Sequence, residues 1–169
     1  MGEMSSTWYI KGKEFRGETN AGMTGTTTII YNADSKEMLM LMERPFLGNT
    51  YMKVSDTAEV EKEDFQVERT KEKLKIAGYK CVKYIATDAD GNETILYETD
   101  EIKYPFNAQY SGKIEGAILC SITVADVMGS EMTITMTATA VKKGTISEDK
   151  FSMEIPEGYT EFVDDTVSE

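Results

Sequence analysis

The sequence predicts an antiparallel all-β fold. Turn signals recur every 8–15 residues along the chain, the rhythm of short strands joined by hairpins. The segments between them alternate apolar with polar residues, the period of a strand that buries one face. In Ser130–Lys143, SEMTITMTATAVKK, Met132, Ile134, Met136, Ala138 and Ala140 alternate with Thr133, Thr135, Thr137 and Thr139. One side of that strand is oily and the other is lined with threonine.

The strands follow in order. Thr7–Lys11 and Glu14–Thr19 flank a turn at Gly12-Lys13, and Thr26–Tyr31 and Met38–Glu43 flank Asn32 to Ser35. Thr50–Val54 follows the break Pro45 to Asn49. Gln66–Ile76 turns at Ala77-Gly78 into Tyr79–Thr87, and Asp90-Gly91 leads into Glu93–Thr99. Gly116–Ala125 turns at Met128 to Ser130 into Glu131–Val141, and Phe151–Ile155 is a last strand. Ser55–Asp64 is charged, with Asp56 and Glu59 spaced as a helix-capping pair, and reads as a short helix or an exposed loop. Ile102–Lys113, which contains Pro105, has room for one helical turn. The sequence is read as one domain over residues 1–163, followed by a frayed acidic tail at 164–169.

The Asp90-Gly91 hairpin has a definite expected register. A tight two-residue turn sets Tyr84 opposite Tyr97 and Ile85 opposite Leu96. Val82, Tyr84, Ala86, Ile95 and Tyr97 then share one face, with Cys81, Lys83, Ile85, Thr94, Leu96 and Glu98 on the other. Cys120 alternates with Ile118, Ile122 and Val124. If both strands belong to one curved sheet, the two thiols, Cys81 and Cys120, point to opposite sides, which argues against a disulfide between them without deciding their oxidation state.

Composition narrows the function. The chain has 169 residues, 40% apolar and 28% charged, and a net charge of −12. That charge repels phosphate and anionic headgroups, which argues against nucleic acid and simple membrane-surface binding. The longest apolar run, Met38–Met42, has five residues, while a spanning helix needs about 20. The N-terminus lacks a basic start followed by an apolar stretch, so it does not read as a signal peptide. Eleven methionines stand out; they serve either as core filler or as a compliant cavity wall.

Much catalytic chemistry is excluded. The chain contains no histidine, which removes Ser-His-Asp and Cys-His arrangements and histidine metal sites. Two cysteines alone do not make a structural zinc site. Asp88, Asp90 and Asn92 place oxygen side chains at alternate positions like the start of a calcium loop. The glycine comes two places early and the twelfth position is Thr99, so a plain hairpin turn is the better reading. Nothing in the spacing singles out a catalytic carboxylate pair. No enzyme activity, metal or cofactor is expected.

Two segments carry a family resemblance: Lys75–Thr87, KIAGYKCVKYIAT, and Ile146–Phe162, ISEDKFSMEIPEGYTEF. They resemble the bacterial envelope family designated domain of unknown function 4412, often found in Bacteroidetes-type bacteria. Its members show an Ile-Ala-Gly-Tyr-Lys-Cys turn-and-strand and an ending Phe-x-x-Pro-x-Gly-Tyr. That family is similar to periplasmic lipoprotein carriers and lipoprotein-localisation factors. The resemblance implies a mainly β half-barrel, a strongly curved antiparallel sheet with one or two short helices on its concave side. It also implies an exported protein of the periplasm or cell envelope, here in mature or trimmed form. The concave face would accept an acyl chain, a lipoprotein or another apolar ligand.

The strand patterns nominate Ile118, Ile122, Met132, Ile134 and Met136 as the lining, with Met52 added. The same residues serve equally as ordinary core, because a curved sheet must bury one face in any case. The alternative function is a structural or protein-interaction module of the envelope that uses a sheet edge or the threonine face and holds no small ligand.

Overall fold

A computed structural model describes residues 4–55, 65–105, 110, 113–127 and 130–163, without the side chains of 125–127. The described residues form eleven strands in two sheets. Cα packing divides the chain into two compact units, Met1–Val60 with Thr145–Glu169, and Glu61–Gly144; each unit contains one sheet.

The first sheet runs β1 (Ser5–Lys11), β2 (Glu14–Asn20), β3 (Thr26–Asn32), β4 (Glu37–Arg44), β5 (Gly48–Val54) and β11 (Tyr159–Glu161). Its first five strands form an antiparallel meander, and β11 pairs in parallel with β5, setting Thr160 opposite Thr50. One face carries Ile30, Leu39 and Leu41, all buried. Tyr51, Met153 and Tyr159 pack against them. The C-terminal segment is fixed beside this sheet through polar contacts to β1 and β2. Lys150 lies over the Tyr9 ring, Lys11 pairs with Glu148, and Arg16 donates to the Lys150 carbonyl at 3.1 Å.

The second sheet has the order β10 (Ser130–Thr137), β9 (Gly116–Val127), β8 (Glu93–Lys103), β7 (Tyr79–Thr87) and β6 (Gln66–Ile76). It packs apolar side chains on both faces. Cys81, Tyr97, Leu119 and Cys120 form one cluster with Ile76 and Ala117. Ala86, Leu96, Tyr110 and Ile114 form the other.

Several expectations change here. The expected single sheet is two, because the edge of β5 is taken by β11 rather than by β6. Neither sheet closes into a barrel. Phe151–Ile155 is not a strand: Glu148–Phe151 forms a 3-10 turn, and the final strand lies beyond it at Tyr159–Glu161. A second 3-10 turn lies at Gly22–Thr24, and no α-helix occurs among the described residues. Most of Ser55–Asp64 and the tail at 164–169 lie outside the described residues. In the segment expected to hold a helical turn, Ile102 and Lys103 extend β8, and Lys113 donates to the Tyr110 carbonyl at 3.0 Å.

The Asp90-Gly91 hairpin is shifted by one residue. Tyr84 pairs with Leu96 and Ile85 with Ile95. The Asp88 carboxylate explains the shift: Oδ1 accepts from the Asp90 and Asn92 amides at 2.9 and 2.8 Å, and Oδ2 from the Asn92 side chain at 2.9 Å. These bonds favour a three-residue loop, with Gly91 in the left-handed region at φ 86°. Leu96 and Tyr97 therefore exchange faces. Cys81 and Cys120, both buried as free thiols, fall in one cluster rather than on opposite sides.

A bulge in β9 makes a second exchange. Tyr97 faces Cys120 while Glu98 faces Ile118, leaving Leu119 as the extra residue. The alternation reverses there, so Ile118 joins the Leu96 cluster and Ile122 joins the Cys81 cluster.

Candidate functional site

β3, β4 and β5 place apolar side chains in cross-strand rows on the first sheet's second face. Ladder pairing lines up Trp8, Gly17, Ile29, Met40 and Met52. A neighbouring row holds Ile10, Phe15, Tyr31, Met38 and Val54. Phe15, Tyr31 and Met38 are buried, whereas Ile29, Met40, Met42 and Met52 are half-buried. Gly17 leaves space for the Phe15 ring, whose Cζ would lie 2.8 Å from a Cβ at that position. Trp8 meets Phe15 edge-on with ring centroids 5.9 Å apart. Beside Met42, across the β4–β5 ladder, stands Thr50, whose buried hydroxyl has no hydrogen-bond partner. The result is a pliable apolar surface bordered by a row in which Ser6, Thr19, Thr27 and Thr50 accompany Met42.

The nominated lining residues do not converge. Met52 lies in this row, paired with Met40. Ile118 and Ile122 occupy opposite faces of the second sheet. Met132, Ile134 and Met136 lie on β10 at that sheet's edge, opposite Ala125, Thr123 and Ser121. Met132 is half-buried, while Ile134 and Met136 are 40% and 38% exposed. The threonine face of this strand turns toward the thiol cluster, where the Thr137 hydroxyl donates to Cys120 Sγ at 3.4 Å.

Two cavities carry charge. One, of about 380 Å³, lies against the first sheet and is lined by Ile30, Leu41 and Pro156 together with Arg16, Glu43 and Tyr159. The Tyr159 hydroxyl donates to Glu43 at 2.5 Å. Burial, reinforced by this bond, pushes the phenol up to about 12.

The other cavity, of about 240 Å³, lies at the β8–β9 bulge of the second sheet. Glu98, only 6% exposed, lines it and accepts the Gly116 amide at 2.8 Å. A Cβ on residue 116 would overlap both Glu98 Oε1 and the Thr99 carbonyl, so glycine is required there. Burial pushes the Glu98 carboxyl up, while its bond to Gly116 opposes the shift. Arg69, Lys80, Lys103 and Lys113 line the same space with Asp100 and Glu115. Sequence reasoning missed this cluster, because its members come from four strands and a connector and show no local pattern. The one local cue was the charged run at the end of β8.

These features define a mainly β protein with a methionine-lined sheet face and a separate polar cavity around a buried carboxylate. A family model described as domain of unknown function (DUF4412) matches residues 1–104, and the chain belongs to that family. No curated protein matches the chain. A solved structure titled "Structure of PNGF-II in C2 space group" aligns at 15% identity and a TM-score of 0.47, over 94% of this chain and 30% of that one. The chain thus spans under a third of that structure's length, and the likeness carries neither fold nor function to it. Among the described residues, no helix is long and apolar enough to cross a membrane.

Proposed function

We propose that this protein is a non-enzymatic binding protein of the cell envelope, holding an acyl chain or similar apolar ligand on the first sheet's methionine face. The observation that carries this reading is the row Trp8–Ile29–Met40–Met52, with Met42 beside it. Methionine is unbranched and polarizable, so such a row conforms to a flexible chain better than β-branched residues do. The unpartnered Thr50 hydroxyl at the margin suits the polar end of such a ligand. The similarity to periplasmic lipoprotein carriers that the sequence resemblance implies points the same way and makes lipids or lipoproteins the first partners to examine.

The test is native mass spectrometry of protein purified from its envelope fraction, followed by organic extraction and lipid analysis. A stoichiometric apolar molecule is expected, and Met40→Asp is expected to abolish uptake of a fluorescent fatty acid. Protein that is clean of lipid and takes up no fatty acid would sink the proposal.

A second reading rests on β10. It is an edge strand and carries the exposed Ile134 and Met136. An extended peptide could pair with such an edge by strand addition. This is the interaction-module alternative, favoured if β10 amides alone are protected from exchange by a protein partner.

A further inference from the structure

We infer that the cavity at the β8–β9 bulge binds the phosphoryl group of a small phosphomonoester, with Arg69 and Lys80 as its principal ligands. This is independent of the methionine face. Four cationic side chains converge on about 240 Å³ of space in a chain whose net charge is −12. Two of them have other engagements. Lys103 lies 3.9 Å from Glu115, and Lys113 donates to the Phe65 carbonyl at 3.2 Å. Among the described residues, the side chains of Arg69 and Lys80 make no hydrogen bond or ion pair within the chain. A guanidinium fork beside an ammonium is the pairing that grips tetrahedral oxyanions, because the fork fixes two oxygens and the point charge takes a third. The volume suits a headgroup-sized molecule rather than a long chain.

Glu98 gives the site its selectivity. Its buried carboxylate lines the cavity and is held by the Gly116 amide. Asp100 opposes its ionisation, while Arg69 and Lys103 favour it; the other charged groups lining the same space are Lys80 from β7, and Lys113 and Glu115 from the connector before β9. As a carboxylate it repels an incoming dianion. As a carboxylic acid it donates a hydrogen bond to one. Burial favours the neutral form, and a bound anion favours it further. Binding therefore takes up a proton and strengthens as pH falls.

The experiment is calorimetric titration of the full chain with sodium sulfate and with glycerol 3-phosphate, alongside sedimentation with vesicles of phosphatidylcholine with or without phosphatidic acid. Sulfate keeps one charge state over the working range, so its pH dependence reports the protein alone. Wild-type affinity for sulfate is expected to rise as pH falls and the raised Glu98 carboxyl takes up its proton. Arg69→Gln and Lys80→Gln should each weaken binding about tenfold or more, the worth of one charge-assisted hydrogen bond. Lys36→Gln, at a turn of the other unit, should change nothing. Glu98→Gln retains an oxygen acceptor for Gly116 and should bind sulfate more tightly at neutral pH with a flattened pH profile. Circular dichroism checks the fold of each variant, and Lys80→Gln keeps the test decisive if another variant unfolds. Binding of soluble anions with these losses identifies a free phosphomonoester site. Binding only to phosphatidic acid vesicles, with the same losses, identifies a lipid headgroup site. No binding to any probe, or binding that ignores both cations, overturns the inference.

Discussion

The first sheet fills one face with its own C-terminal segment and presents a row of half-buried methionines on the other. The second sheet instead packs apolar clusters on both faces, interrupted by one buried carboxylate. A β-sheet needs one buried face for stability. Where the chain itself covers that face, part of the opposite surface, the half-buried row beside the buried Phe15, Tyr31 and Met38, can be specified for adaptability. Where both faces hold core, function is confined to places where packing breaks, such as the β9 bulge. Within this one chain, an apolar surface and a polar cavity thus arise from two ways of spending the same strand alternation.

The largest effects should come from the two cores. Leu39→Ala and Leu96→Ala each remove a side chain that is at most 1% exposed, and each should cost about 2–5 kcal/mol in urea unfolding. Hydrogen exchange sharpens the contrast. Leu39→Ala is expected to deprotect β3 and β4 first, and Leu96→Ala to deprotect β8 and β9 first. Equal loss of protection in both sheets from either variant would erase the distinction between them.

Glycine replacements come next. In Gly116→Ala the new methyl meets the Thr99 carbonyl, which is backbone and cannot swing aside. A loss of about 1–3 kcal/mol is expected, the usual cost of overpacking. In Gly17→Ala the methyl meets the tip of the Phe15 ring, 2.8 Å away at Cζ, and a side-chain tip can swing aside by a small change in χ1 where backbone cannot. Gly17→Ala should therefore cost less than Gly116→Ala by thermal melting, and the reverse order would show that the methionine face is the more tightly built.

Tyr159→Phe should cost about 0.5–1.5 kcal/mol, the net worth of a hydrogen bond, by removing the donor to Glu43. The pH behaviour has a definite sign. Because the phenol ionises higher in the folded state than its ordinary value, its contribution is fully present below that value and is lost as pH rises toward about 12. Wild type and variant should therefore converge in stability at strongly alkaline pH, while absorbance titration of the variant should show one fewer late-ionising tyrosine than wild type, in which Tyr97 and Tyr104 are also shifted up.

Much of the fold was legible because it rests on local chemistry. Gln66–Ile76 and Tyr79–Thr87 are strands with the bounds read from sequence; the alternation and the Ala77-Gly78 turn suffice. What failed depended on single side-chain contacts or distant pairing. The Asp88 carboxylate moved one hairpin by a residue, and Leu119 reversed the alternation of β9. Together they relocated Leu96, Tyr97, Ile118 and both thiols. The parallel pairing of Tyr159–Glu161 with β5 joins segments far apart in the chain, and nothing in either segment announces it. The candidate site was legible to a similar degree. Met52 and the Met38–Met42 run were noticed as residues, yet their row exists only once β3, β4 and β5 are in register. The Glu98 cavity requires four strands and has no signature in any one of them.

The smallest effect tests the strand whose alternation is clearest. Ile134 belongs to an unbroken apolar-threonine pattern, and pattern alone would make it equal to Leu96. Its 40% exposure at the sheet edge makes it unequal. Much of its surface already meets water, so truncation removes little transfer energy and leaves no closed cavity. Ile134→Ala should cost less than about 1 kcal/mol, as expected for a largely solvated site. A loss as large as that of Leu96→Ala would mean that β10 is covered in solution, and the edge strand would then be an occupied surface rather than an available one.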